Sequence, residues 1–433
     1  MPESTKTQVG NYFVSNYPPF SLWSADQLDE VRGALESPPA AVPLGLYLHI
    51  PFCRKRCKFC YFKVFTDKNA PEVERYLAAL SHEIELVSRL PVMGGRPFQF
   101  VYFGGGTPSF LSPKQLTRLV NRLRASISWD VAEEVTFECE PGTLSEAKVL
   151  ALRDLGVTRL SLGVEHFDDT ILRENGRAHE SLEIFRCWPW IQAAGFQNVN
   201  VDLIAGMVGD SDATWQETVH RTLDLAPDSV TIYQMELPFN TVYSQDILGN
   251  KSESPVADWP QKRAWVDYAF SQLGQAGYSV SSAYTMVKDP DCVNFSYRDN
   301  LWRGSDLLAT GIASFGYVSG VHYQNNPEWA EYCGMLEKGE LPLNRAFRPT
   351  DHQRLIRELV LQLKRGYLEA SYFQEKFSVD ILQHWGQSWA QYQREGLVTL
   401  GAGRVELTRK GLLRADGLLP AFFEPEHRDV RYT

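Results

Sequence analysis

From about residue 44 the chain alternates short apolar runs with amphipathic stretches, and this order constrains the fold more than any other feature. Runs at 45–50, 97–103, 133–138, 159–164, 198–204 and 229–235 read as strands, and stretches near 71–89, 113–126, 144–155, 180–194, 211–225 and 260–276 carry helical periodicity. A helix between two strands returns the chain to the same end of the sheet, so the strands must be parallel. Six such units predict an α/β fold, an open or partial (β/α)6 barrel, with working side chains at the carboxyl ends of its strands. The 433 residues are 44% hydrophobic and 12% aromatic, enough to fill a large core. With 43 basic against 53 acidic residues the net charge is −10, which excludes a general nucleic-acid binder, because phosphate neutralisation needs positive surface. No window approaches the ~20 apolar residues of a membrane span. The start, MPESTKTQVGNYF, lacks a basic region followed by an apolar stretch, so a cytoplasmic location is expected.

Four regions are expected: an N-terminal arm at 1–40, the partial barrel at 41–280, a less regular barrel extension at 281–348 and a C-terminal helical domain at 349–433. The aromatic run NYFVSNYPPFSLW predicts that the arm packs on the body, with a short helix near Ala25–Leu35. In the extension, SVSSAYTMV and LLATGIASFGYV read as strands and turns. The last region reads as helices near 351–365, 369–376 and 386–395, the hairpin LVTLGAGRVELT and a final helix from about 408, a winged-helix-like order without the basic stripe of a DNA reader.

Seven cysteines stand at 53, 57, 60, 139, 187, 292 and 333, and an odd number with one tight cluster is no disulfide framework. Cys53, Cys57 and Cys60 have C-x3-C-x2-C spacing. Neither helix nor strand periodicity brings all three thiolates together, so the segment must be a loop around one metal centre. It follows the first strand, at the working end. An iron–sulfur cubane on three cysteines leaves one iron open for chemistry. Structural zinc would need a fourth ligand, from His49 or a distant residue. The spacing leaves both readings open, with chance as a third. Cys139, Cys187, Cys292 and Cys333 read as small buried hydrophobes.

Gly104-Gly105-Gly106-Thr107-Pro108 follows the second strand. One account is a tight turn needing positive φ; the other is bare backbone approaching a small polar ligand. No P-loop lysine or dinucleotide fingerprint accompanies it. Arg54, Lys55, Arg56, Lys58 and Lys63 crowd the cysteine loop of an otherwise acidic chain. They read as a solvated loop or as a docking site for an acidic electron donor, such as a flavodoxin or ferredoxin, or for substrate carboxylates.

In order along the chain stand Tyr47-Leu-His-Ile-Pro-Phe-Cys53, the cysteine trio, Gly104–Ser109, Glu138 in TFECEPGT, Leu162-Gly-Val-Glu165, Asn175-Gly-Arg177-Ala-His179, Val201-Asp202-Leu-Ile-Ala-Gly206 and Leu301–Gly311. Together they resemble the radical S-adenosylmethionine (SAM) enzymes, and more closely the oxygen-independent coproporphyrinogen III oxidase-like family, from about residue 12 to 425. The resemblance implies a radical SAM barrel in which Cys53, Cys57 and Cys60 ligate a [4Fe–4S] cluster that chelates SAM through its open iron. One electron then cleaves SAM to methionine and a 5′-deoxyadenosyl radical. It also implies that Tyr47 and Phe59 lie near the cofactor, that the Gly104–Gly106 backbone holds the methionine amino group, and that Gly105, Gly106 and Thr107 are cofactor-binding. Glu138, Glu165, Arg177 and Asp202 match cofactor-binding positions on successive strand ends. Acidic groups suit the ammonium and ribose hydroxyls, and an arginine can fork onto the carboxylate. Glu165 departs from the glutamine usual there.

The family's oxidases carry a fourth cysteine two residues after the third, where this chain has Phe62, which weakens a decarboxylase reading. The related heme chaperones carry a histidine-asparagine motif where this chain has Asp299-Asn300. Two-SAM methyltransferases, including anaerobic heme-degrading enzymes, have a segment like Tyr297–Leu308. The expected activity is therefore radical SAM modification of a tetrapyrrole or another conjugated small molecule, with one SAM or, for methyl transfer, two. The alternatives are coproporphyrinogen decarboxylation and, from another class, a heme-binding carrier.

Overall fold

The computed structural model describes residues 6–10, 13–249, 256–428 and 430–431. Strands β1 (Leu44–Ile50), β2 (Phe100–Gly105), β3 (Glu134–Cys139), β4 (Arg159–Glu165), β5 (Asn198–Ala205) and β6 (Ser229–Gln234) lie side by side in chain order. All are parallel, as the βα alternation predicts. Each is buried nearly from end to end, because helices cover the sheet. The arm helix α1 (Leu28–Leu35) precedes them, and α2 (Ala70–Val87), α3 (Pro113–Arg124), α4 (Glu146–Asp154), α5 (Asp169–Glu174), α6 (Ser181–Ala194), α7 (Asp212–Leu225), α8 (Val242–Leu248) and α9 (Trp259–Gln275) connect or follow them.

Helix α3 shows how sequence sets an element. Ser112 accepts from the Gln115 amide, Gln115 caps Ser112 in return, and Pro113 occupies the first turn. Leu116, Leu119, Val120 and Leu123 then recur on one face and are buried against the sheet, each worth about 1.5–3 kcal/mol of transfer free energy. At Gly45 the sheet demands glycine, since a Cβ would lie 1.8 Å from the Phe100 ring on the paired strand.

The six-stranded array does not close. After β7 (Ser279–Val280), β8 (Thr285–Val287) and α10 (Ser296–Trp302) comes β9 (Asp306–Thr310), which pairs parallel with β1, while β8 pairs antiparallel with β6. Strands β10 (Phe315–Val318), β11 (Val321–Asn325) and, after α11 (Trp329–Glu337), β12 (Leu343–Phe347) extend the sheet to twelve strands in the order β12-β11-β10-β9-β1-β2-β3-β4-β5-β6-β8-β7. The strands expected from SVSSAYTMV and LLATGIASFGYV are present, whereas α10, β11, α11 and β12 add order that the irregular pattern did not reveal.

A buried polar knot joins α2 to the β9–β10 turn. Glu83, 2% exposed, accepts from the Gly311 amide at 2.8 Å, Tyr332 hydroxyl at 2.6 Å and Asn325 amide at 2.5 Å. Tyr76 donates to the His49 carbonyl at 2.6 Å and accepts from the Ile312 amide. Gly311 has φ +97°, and a Cβ there would meet the Tyr76 hydroxyl at 2.6 Å and the His49 carbonyl at 2.7 Å.

Helices α12 (Asp351–Leu363), α13 (Ala370–Phe377), α14 (Ile381–His384), α15 (Gly386–Arg394), α16 (Arg409–Leu412) and α17 (Ala415–Leu418) build the last region with the sheet β13-β15-β14 (Tyr367–Glu369, Arg404–Leu407, Val398–Gly401). The expected final helix is broken into α16 and α17. The arm packs on the body as expected: Val14, Tyr17 and Trp23 are buried, and Phe13 lies 4.8 Å from the Tyr284 ring. The main chain of Val14 is held at both polar atoms, its amide by Asp416 and its carbonyl by Lys364. Among the described residues no helix is long and apolar enough to cross a membrane.

Candidate active site

The cysteine loop leaves the carboxyl end of β1 and is pinned by main-chain bonds along its length. Cys53 donates its amide to Phe65 at 3.0 Å, Phe65 returns one to Pro51 at 2.7 Å, and Lys58 donates to Asn175 at 3.0 Å. Val242 donates to the Lys58 carbonyl at 3.0 Å, and the Asn240 side chain to the Tyr61 carbonyl at 2.7 Å. Phe59 packs on a small apolar cluster of Ile171, Ile204, Met207 and Met235. The loop is thereby set before any ligand arrives.

Over it crosses the glycine turn. Gly106 donates to the Ile50 carbonyl at 2.9 Å and Thr107 to that of Phe52 at 2.8 Å. A Cβ on Gly106 would lie 2.8 Å from Ile50 O, and one on Gly105, at φ +109°, 2.5 Å from the His49 ring. The turn thus needs glycine for backbone approach and for positive φ together. The Thr107 hydroxyl donates to Cys53 Sγ at 3.3 Å, and Arg177 Nη1 to Cys57 Sγ at 3.5 Å.

A cavity of about 630 Å³ opens here, lined by Cys53, Cys57, Cys60, Phe59, Gly105, Gly106, Thr107, Glu138, Glu165, Arg177 and Asp202. Eleven of the twelve expected site residues therefore meet in one place. The twelfth, Tyr47, does not line the cavity but stacks at 6.0 Å on Tyr102, which does, with its hydroxyl 3.3 Å from His49 Nδ1. The acids come from successive strands. Burial pushes Glu138 up to about 7 against hydrogen bonds from the Tyr102 hydroxyl at 2.7 Å and the Gly105 amide at 3.1 Å. Burial likewise raises Asp202 to about 6, opposed by Ser161 at 2.7 Å and Asn200 at 2.9 Å. Glu165 sits at a bulge in β4 with φ +63°, a conformation uncommon for a residue with a Cβ, and burial raises it to about 7 despite Arg177 3.6 Å away.

The signals that sequence reading missed are supporting groups. Glu140, two residues after Glu138, accepts both Arg54 bonds at 3.1 and 2.8 Å. Burial would raise its carboxyl, but His179, its Nδ1 3.4 Å away, and the bonds from Arg54 hold it down at about 2. Tyr102, Ser161 and Asn200 orient the acids, and period-two alternation on their strands is the signal that marks them. Arg54 is therefore clamped to Glu140, while Lys58 pairs with Glu174 at 2.9 Å and Lys63 with Glu328 at 3.0 Å. The five basic residues are mostly compensated within the chain rather than forming a free cationic patch.

His49 is a core residue: Nε2 lies 3.3 Å from the Lys63 carbonyl, which can only accept, so Nδ1 is left to accept from Tyr47. Burial lowers it to about 4, keeping it neutral. Among the described residues no three His, Cys, Asp or Glu side chains converge on a single metal ion, so the zinc reading finds no ligand set. Cys139, Cys187 and Cys333 are buried as expected, but Cys292 is exposed, because the turn after β8 lies on the surface beside Asp289.

The donor set fits an iron–sulfur cluster and a zwitterionic ligand. Burial lifts Cys53 to about 11 and Cys60 to about 12, so both thiols wait for a metal to displace their protons. Arg177 Nε is buried without a hydrogen-bond partner, a donor left over for an anion.

Comparison with known proteins agrees with this geometry. The Radical SAM superfamily model matches residues 47–222, and the HemN C-terminal domain model matches 350–414. The oxygen-independent coproporphyrinogen III oxidase of Synechocystis sp. is 28% identical over 391 residues, spanning 87% of this chain and 79% of that protein. The heme chaperone HemW of Lactococcus lactis is 26% identical over 387 residues, spanning 88% of this chain and 97% of that one. The structure of coproporphyrinogen III oxidase (HemN) from Escherichia coli shares the fold with a TM-score of 0.81, at 24% identity, over 95% of this chain and 96% of that chain.

Proposed function

We propose that this chain, a member of the radical SAM superfamily with a HemN C-terminal domain, reductively cleaves SAM at a [4Fe–4S] cluster on Cys53, Cys57 and Cys60 to modify a tetrapyrrole or similarly conjugated small molecule. The observation that carries this reading is the meeting of the cysteine loop, the glycine turn and Glu138, Glu165, Arg177 and Asp202 in one cavity at the carboxyl ends of the parallel strands. When bound, the cluster and SAM supply a 5′-deoxyadenosyl radical.

The chain's own residues bind and orient. Arg177, anchored to the Gly163 carbonyl at 2.7 Å, is the group to fork onto a carboxylate. Glu138 is fixed by Tyr102 and Gly105, and Asp202 by Ser161 and Asn200, so neither must reorganise to receive an ammonium or hydroxyl. Phe59, Tyr61 and Phe62 line the same cavity and give it an apolar side.

Methyl transfer with a second SAM is the reaction proposed, because Phe62 occupies the place of a fourth cysteine and Tyr297, in the methyltransferase-like segment, packs 4.6 Å from Tyr102 on the cavity wall. The test is anaerobic reconstitution with iron and sulfide, then SAM and dithionite with heme or coproporphyrinogen III, read by mass spectrometry. S-adenosylhomocysteine beside 5′-deoxyadenosine, with a mass gain on the acceptor, is expected. Loss of carbon dioxide from coproporphyrinogen would make the chain a decarboxylase. Heme bound unaltered, with no nucleoside, would make it a carrier.

A further inference from the structure

Directly after Cys60, Tyr61 and Phe62 stack on each other with ring centroids 4.6 Å apart and planes 28° off parallel. They are 41% and 43% exposed, and both line the cavity. Their backbone is fixed on both sides, by Asn240 on the Tyr61 carbonyl at 2.7 Å and by Arg56 on the Cys60 carbonyl at 3.3 Å. Tyr233, 41% exposed, lines the same cavity. Beside the rings, Lys55 and Arg56 also line the cavity. Of the five basic residues around the loop, Arg54, Lys58 and Lys63 have carboxylate partners, and Arg56 spends its bonds on two carbonyls. Lys55 enters none of the ion pairs found among the described residues.

Stacked rings and cationic side chains lining one cavity suit a planar conjugated ring system carrying carboxylates. We propose that Tyr61 and Phe62 form the platform on which the substrate ring stacks beside the cluster, and that Lys55 and Arg56 take its carboxylates. This rests on the proposed tetrapyrrole reading and adds the residues that select the substrate.

The test titrates reconstituted enzyme with metal-free deuteroporphyrin IX, followed by tryptophan quenching and the Soret shift. Phe62→Ala and Tyr61→Ala are each expected to weaken binding about 10-fold, the loss of one ring contact, while Phe62→Tyr binds like the parent. Lys55→Ala is expected to weaken binding several-fold and flatten its salt dependence, with recovery in Lys55→Arg. Equal affinity of the parent, Phe62→Ala and Tyr61→Ala, at matching cluster absorbance near about 400 nm, would overturn the platform alone. A parent that makes 5′-deoxyadenosine yet binds no porphyrin would overturn both the platform and the tetrapyrrole reading. If only reduction by a flavodoxin, and not porphyrin binding, responded to Lys55→Ala, the carboxylate role would fall to donor docking.

Discussion

Replacing Glu83 by glutamine should remove a pH-dependent part of the chain's stability. Burial raises this carboxyl from 4.5 to about 7, because three donors only partly offset the lost hydration. A folded-state value above the unfolded one means that the folded chain holds the proton longer between those limits. Stability from this group is therefore fully present below about pH 4.5 and declines as pH rises through 7. Each unit of difference is worth about 1.4 kcal/mol, so integration from pH 5 to pH 8 gives a loss of about 2.5 kcal/mol. Glutamine keeps an oxygen for Gly311 and Tyr332, and Asn325 must turn its amide over, giving up its 3.2 Å bond to the Gly311 carbonyl. That penalty does not depend on pH. Urea unfolding of both proteins at pH 5 and 8, handled anaerobically and followed by tryptophan fluorescence, isolates the term, because all other titrating groups cancel in the double difference. The parent should lose about 2.5 kcal/mol more than Glu83→Gln over this range. A difference below about 0.5 kcal/mol would refute the reasoning and show that the knot holds its carboxylate ionised throughout.

Gly106→Ala should fold but load little cluster, measured as iron and sulfide per chain, because its Cβ would lie only 2.8 Å from the Ile50 carbonyl oxygen where the cysteine loop begins. Thr107→Val removes a donor to Cys53 Sγ and should shift the cluster potential downward by tens of millivolts in an EPR redox titration. Glu140→Gln should lower cluster retention on dilution, and Arg54→Ala should do the same, since the two form one clamp; retention unchanged in Arg54→Ala would restore that residue to a surface role. Neutralising Arg54 consequently perturbs the loop itself, so a slowed reduction by dithionite as well as by a flavodoxin is expected.

Much of the site was legible because it is built from local rules. Six strands and their helices follow from apolar periodicity, and the cysteine spacing, the glycine turn and the strand-end acids all fall on strand carboxyl ends that the pattern already located. What was not legible depends on contacts between distant segments. Pairing of β9 with β1 leaves the barrel open at its first strand, yet nothing in DLLAT announces a parallel neighbour some 260 residues earlier in the chain. The role of Glu140 required Arg54 to arrive from another loop. The exposure of Cys292 follows from a surface turn that composition does not mark. Tyr47 matches its motif and stacks on Tyr102 of the cavity wall without itself lining the cavity.

Leu412, Leu413, Asp416 and Gly417 form part of the cavity wall, and Asp416 holds both Val14 of the arm and Tyr284 of the barrel extension. One carboxylate thus fastens segments 402 residues apart in the chain, and a change that loosens Asp416 frees the arm and this side of the cavity together.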